Sequence, residues 1–96
     1  MKTVLKYNIP GPDSTFDAPS DARPLTAQMT PNGPAMWLLC DPDLPAVKHQ
    51  VLIFGTGQLI HEAHPGNYVN TLQIREKNQN VVLHVFHKQL PLVMTS

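Results

Sequence analysis

The chain reads as an all-β protein, a small antiparallel β-sandwich or partly open barrel of six to seven strands. Three observations carry that reading. Ten prolines in 96 residues fall between the apolar segments, where they interrupt helices but suit rigid turns between strands. The apolar segments alternate with period two. No stretch of eleven residues shows a clean helical period, although a short turn of helix is compatible with Leu59 to Ala63.

In the first segment, TVLKYNI, Leu5, Tyr7 and Ile9 share one face and Lys6 and Asn8 the other, before Pro10-Gly11-Pro12 breaks the strand. STFDAP is a short extended piece ending at Pro19. PLTAQMT sets Leu25, Ala27 and Met29 inward. Asn32-Gly33 is a hairpin signal, because both residues tolerate positive φ. The return strand, AMWLLC, is apolar on both faces and reads as central and covered twice. Asp41-Pro42-Asp43 begins a loop that cannot extend a central strand. VKHQVLIF then places Val47, His49, Val51 and Ile53 on one face. NYVNTLQI pairs with VVLHVFHK in a second hairpin around Lys77-Asn78. Residues 1–96 read as a single β domain, with 89–96 as a C-terminal arm. Trp37, Leu39, Phe54, Leu72, Leu83 and Val85 are the expected core.

Composition narrows the function classes. Seven basic and seven acidic residues give a formal net charge of zero, and the basic residues form no block, so nucleic acid is not an expected partner. Near-zero charge removes one brake on self-association. With strand edges to cover and the apolar tail LPLVM, this favours a homodimer. The lone cysteine, Cys40, sits in an apolar run and reads as a buried, inert thiol. The interrupted N-terminal apolar stretch is not a signal peptide, and no run is long enough for a membrane span, so no membrane partner is expected.

The stretch IFGTGQLIHEAHPGN, residues 53–67, holds three of the five glycines and two of the five histidines. Gly55-Thr56-Gly57 lacks the spacing of a phosphate loop and the third glycine of a dinucleotide fingerprint. It reads first as a bend in which glycines adopt φ values that other residues avoid. Its functional alternative is a backbone nest that holds an anion or a ligand carbonyl, with the Thr56 hydroxyl adding to it. His61, Glu62 and His64 follow. The histidine spacing is one residue short of the zinc hydrolase motif, and Pro65-Gly66 stops any helix, so no metal and no cofactor is expected. His84 and His87, on a strand, point to opposite faces and cannot share an ion. Five of the seven carboxylates are aspartates in turn contexts, better explained as turn caps than as acid–base groups, and Ser14 and Thr15 have no spaced catalytic partners. No catalytic residue is assigned. Gly55, Thr56, Gly57, His61, Glu62 and His64 are the candidate ligand- or partner-binding residues.

With its segments in place, the chain resembles a family of short phage- and prophage-encoded proteins grouped as a domain of unknown function. The resemblance rests on Lys6-Tyr7, the step Pro19 to Ala22, MWLLCDPD, IFGTG, YVNTLQ and HVF, in that order over roughly residues 2–88. QLIHEAHP stands where the family tends to have His-Pro-Ile-Pro, which separates the histidines from any shared function. The resemblance implies phage origin and a compact β fold; with neither signal peptide nor membrane span read in the sequence, the host bacterial cytoplasm is the expected location. By association of genome type it implies a non-enzymatic accessory protein that binds a host protein and inhibits a defence system or host enzyme, anti-CRISPR inhibitors included. Two alternatives stand beside it. One is a sponge for a small nucleotide signal, and the other a minor virion or assembly protein.

Overall fold

The computed structural model describes residues 1–91, which form seven strands and no helix. The strands are β1 (Thr3–Asn8), β2 (Asp13–Pro19), β3 (Arg23–Thr30), β4 (Gly33–Cys40), β5 (Ala46–Gly55), β6 (Asn67–Glu76) and β7 (Gln79–Gln89). They make two sheets, a three-stranded one in the order β1-β4-β3 and a four-stranded one in the order β2-β5-β7-β6. Every pairing is antiparallel. This is the open sandwich form of the expected fold, not a closed barrel.

The two hairpins lie where the turn residues place them. At the first, Thr30 pairs with Gly33, so Pro31 and Asn32 make the turn and Gly33 opens β4 with φ of +104°. The Thr30 hydroxyl closes it, donating to Gly33 O at 2.7 Å. At the second, Glu76 pairs with Gln79 across Lys77 and Asn78, and Lys77 takes a φ of +39°. The short turn of helix that the sequence allows at Leu59 to Ala63 does not form; the segment from 58 to 66 is irregular.

Alternation sets the core. Met36, Leu38 and Cys40 of β4 face Val51 and Ile53 of β5, Val85 of β7 and Leu72 of β6, and all are buried. Leu5, Tyr7 and Ile9 lie against the same cluster, as their spacing predicts. Leu72 and Val85 are buried as expected, and Leu83 is half-buried against the core. Trp37, Leu39 and Phe54 are corrections, because each is half-buried on the outer side of its sheet. In β4 an unbroken apolar run conceals which parity faces inward. The pairing of Trp37 with Lys6 settles it, with the ammonium 5.7 Å from the indole centroid. β4 is central, but the second sheet covers one of its faces and not both.

Two β-bulges shape the seam between β3 and β6. In β3 the register shifts between Pro24 and Thr26, and in β6 between Tyr68 and Asn70. A bulge turns one side chain to the other face. Leu25, expected inside, is therefore thrown outward at 48% exposure. In β6 the shift lets Tyr68 point outward while Asn70 points in, although residues two apart share a face in a regular strand. The Asn70 amide then bonds the opposite sheet. Its Oδ1 accepts from Ala27 N at 2.8 Å, and its Nδ2 donates to Ala27 O at 2.9 Å.

Two stability predictions follow from these placements. Leu38→Ala should cost about 2–5 kcal/mol as a buried truncation, whereas Leu39→Ala, on the outer face, should cost about 1 kcal/mol or less. Asn70→Ala strands the buried amide and carbonyl of Ala27 and should cost about 1–3 kcal/mol. Urea unfolding of the three variants checks the order. Equal losses for Leu38→Ala and Leu39→Ala would contradict the inner parity of β4.

Candidate functional site

The order β5-β7-β6 requires an unusual connection. β5 and β6 both run antiparallel to β7 and so run parallel to each other. The chain leaves β5 at Gly55, opposite Leu83, and enters β6 at Asn67, opposite His87. Residues 56–66 must therefore travel back along β7 while crossing it, and they do so over the outer face of the four-stranded sheet. Lys88, on that face, ties the crossover down: its Nζ donates to His64 O at 2.7 Å and lies 3.6 Å from Glu62 Oε1.

The glycines divide the work. Gly55 to Gln58 form a turn in which Gln58 N donates to Gly55 O at 3.1 Å and Gly55 N donates to Gln58 Oε1 at 2.9 Å. The Gly55 N–H of the supposed nest is thus already engaged by a side chain of the same turn. Gly57 needs its φ of +83°, while Gly55 has no positive φ and room for a side chain. The expectation that both require glycine backbone freedom is corrected for Gly55. The most constrained glycine is Gly66, with φ of +107° and a position where a Cβ would sit 2.5 Å from His87 O.

Of the candidate residues, Thr56 is joined to a group far off in sequence: its Oγ1 lies 2.8 Å from His84 Nε2. His61 and Glu62 border a cleft of about 320 Å³ with Asp13, Leu52, Phe54 and Leu59. His61 and His64 are both exposed. Among the described residues no three His, Cys, Asp or Glu side chains gather as a metal would require.

Beside Thr56 lies a surface absent from the expected set. Phe54, Phe86, Tyr68 and His84 stand together on the outer face of the four-stranded sheet. The Phe54–Phe86 and Tyr68–Phe86 rings meet edge to face at 5.9 and 5.5 Å, and Tyr68 and His84 lie 6.4 Å apart. The Tyr68 hydroxyl is 3.1 Å from Thr71 Oγ1. Tyr68 is 54% exposed, and the crossover adds Leu59 at 75% and Ile60 at 43%.

A second unassigned feature is internal. Tyr7, Phe16, His49 and His87 stack in a row between the sheets, with successive centroids 4.8, 5.7 and 5.2 Å apart. His49 is fully buried and His87 nearly so. His49 Nε2 lies 3.2 Å from Pro19 O, and its Nδ1 lies 3.0 Å from His87 Nε2. A carbonyl only accepts, so His49 carries its proton on Nε2 and its Nδ1 accepts from the Nε2–H of His87. Burial, and then the neighbouring His49, depress the pKa of His87 to about 4. His49 belongs to the inward set read from the period of β5, but nothing in the spacing of 38 residues pairs it with His87.

Other candidate groups are structural. The Ser14 hydroxyl donates to Gly11 O and accepts from Gly11 N in the turn after β1. Asp41 accepts from Asp43 N at 3.0 Å, and that bond holds its carboxyl below the usual carboxylate range. Cys40 is buried, and burial followed by the charges of Asp21 and Asp41 pushes its thiol up.

The fold and this surface define an all-β sandwich with an aromatic outer face beside a crossover loop. The chain belongs to the family described as Domain of unknown function (DUF7352), whose model matches residues 1–93. No curated protein and no solved structure matches it. Among the described residues no helix is long and apolar enough to cross a membrane.

Gly66→Ala should destabilise the protein far more than Gly55→Ala, read as the difference in urea midpoint; equal effects would contradict the packing of the crossover against β7. The histidine pair predicts an acid limit. Below about pH 6.5 the unfolded chain takes up a proton at His87 that the folded chain refuses until about pH 4. Stability is therefore full above that window and declines as pH falls through it. Replacing His87 by Gln should flatten this part of the profile.

Proposed function

We propose that this chain is a binding protein that engages another protein through the outer face of its four-stranded sheet. The carrying observation is the partly exposed aromatic group Phe54, Phe86, Tyr68 and His84, extended by the exposed Leu59 and Ile60 of the crossover. Contiguous aromatic and aliphatic surface of this kind marks protein interfaces, where tyrosine anchors carry a large share of the binding energy. The fixed crossover favours the same reading, because a loop tied to the sheet by Lys88 loses little freedom on binding. His61, Glu62 and His64 form the polar rim of this face.

For a protein of the phage-encoded type that the sequence resembles, the partner would be a host defence protein or host enzyme, inhibited by occupation of its surface in the host cytoplasm. The test uses a variant carrying Leu59→Ser, Ile60→Ser and Tyr68→Ala. We expect the unmutated chain to capture a partner from host lysate and the variant to lose it, with the unfolding free energies of the two, from urea titration, within about 1 kcal/mol of each other. Equal capture by both would remove this face from the interface. Light scattering at high concentration separates a host partner from a second copy: a dimer dispersed by the same substitutions would make this the homodimer surface instead.

A further inference from the structure

The two bulges that form the seam also open it. Asn70 closes the approach of β3 to β6 at Ala27. Beside it, where Leu25 and Tyr68 are thrown outward, a cleft of about 210 Å³ remains, bordered by Arg23, Leu25, Asn67, Tyr68, Val69 and His87. Its inner end is one member of the buried histidine pair. His87 is 6% exposed. Its Nε2–H is committed to His49, and among the described residues its Nδ1 makes no hydrogen bond and, since no fully buried side-chain nitrogen is left unpaired, is open to solvent. Arg23, on the exposed rim, is in no ion pair among the described residues.

We propose that this window is a binding site for a protonated phosphate oxyanion, either free phosphate or a phosphate monoester. The donor–acceptor pattern selects that class. His87 Nδ1 offers a lone pair, so the ligand must bring a hydrogen-bond donor to the inner end. Arg23 offers a planar cationic fork and Asn67 an amide at the rim, so the same ligand must present anionic oxygens outward. A phosphate monoanion satisfies both demands: its P–OH donates to Nδ1 while its remaining oxygens meet Arg23 and Asn67. One proton lies between phosphate oxygen and imidazole, and nothing else is transferred. Sulfate has the same tetrahedral shape but is a dianion with no proton near neutral pH, so its lone pairs would face that of Nδ1. The pair His49–His87 is thus a positioning device, with Pro19 O fixing the tautomer of His49 and His49 fixing that of His87. This site borders the aromatic face of the proposed protein interface at Tyr68, but its donors and acceptor, Arg23, Asn67 and His87, lie outside that face and the proposal does not depend on it.

Isothermal titration of the full chain with inorganic phosphate, sulfate and adenosine monophosphate at pH 6.5 tests the proposal. Phosphate should bind at one site per chain, with sulfate at least about tenfold weaker. Arg23→Gln, at an exposed position, should weaken phosphate at least about tenfold without moving the urea midpoint. The nitrogen resonances of His87 should shift with phosphate and not with sulfate. Tighter binding of the nucleotide than of phosphate would make a monoester the ligand, with Tyr68 as a shelf for its base; equal binding would make it phosphate itself. Equal affinity for phosphate and sulfate, no effect of Arg23→Gln, or no binding at millimolar concentration would each overturn it.

Discussion

The Asn70 amide joins the two sheets as a strand would. A primary amide has the same donor and acceptor as a peptide group, and here both are spent on the backbone of one residue, Ala27. β3 and β6 are edge strands of their separate sheets, and an edge strand offers unpaired groups to any passing chain. Bonding one edge to the other through a side chain satisfies the Ala27 groups of β3, and Nδ2 also reaches Thr71 O of β6 at 3.2 Å, without closing a barrel. It also sets the spacing of the sheets on that side. On the opposite side β1 and β2 meet through side chains, chiefly the stacked rings of Tyr7 and Phe16. The sandwich is therefore hydrogen-bonded along one seam and packed along the other.

That seam depends on an irregularity. Without the bulge in β6, Asn70 and Tyr68 would share a face, and either a polar amide would sit outside or a tyrosine would be forced between the sheets. The extra residue, Val69, instead packs against the core while its neighbours diverge. The same logic applies in β3, where the extra Leu25 is given up to solvent so that Ala27 can lie flat and close to Asn70. Alanine at 27 matters here, since a larger side chain would hold the strands apart.

This explains what the sequence disclosed and what it did not. Period-two alternation is a local property, so the strands, both hairpins and the inward set of β5 could be read directly. Parity fails as a guide where both faces are apolar, as in Met36 to Cys40, and where a bulge resets it, as at Leu25 and Tyr68. The candidate site was legible only in part. Gly55-Thr56-Gly57 announces a turn, and Pro65-Gly66 announces the end of the loop. The crossing of β7 by that loop is a consequence of strand order, which no local signal encodes. His84 beside Thr56, and His49 beside His87, are products of register across 28 and 38 residues.

Register also gives the two histidines of β7 opposite fates on one element. His84 and His87 lie three apart on β7, so one faces the outer aromatic surface and the other the interior. The outer one meets a loop hydroxyl and a tyrosine, and remains part of a surface. The inner one enters a row of stacked rings, where ionisation is resisted and its proton is fixed by a chain that ends at a backbone carbonyl. A buried polar pair of this kind is tolerable only when each donor has an acceptor. Pro19 O meets that need for His49, and His49 for His87. The Nδ1 of His87 makes no hydrogen bond among the described residues and, no fully buried nitrogen being unpaired, is open to solvent; His87 borders the cleft where the two bulges part β3 from β6. The irregularity that lets Asn70 fasten the sheets thus also leaves a cleft that reaches the inner histidine of β7.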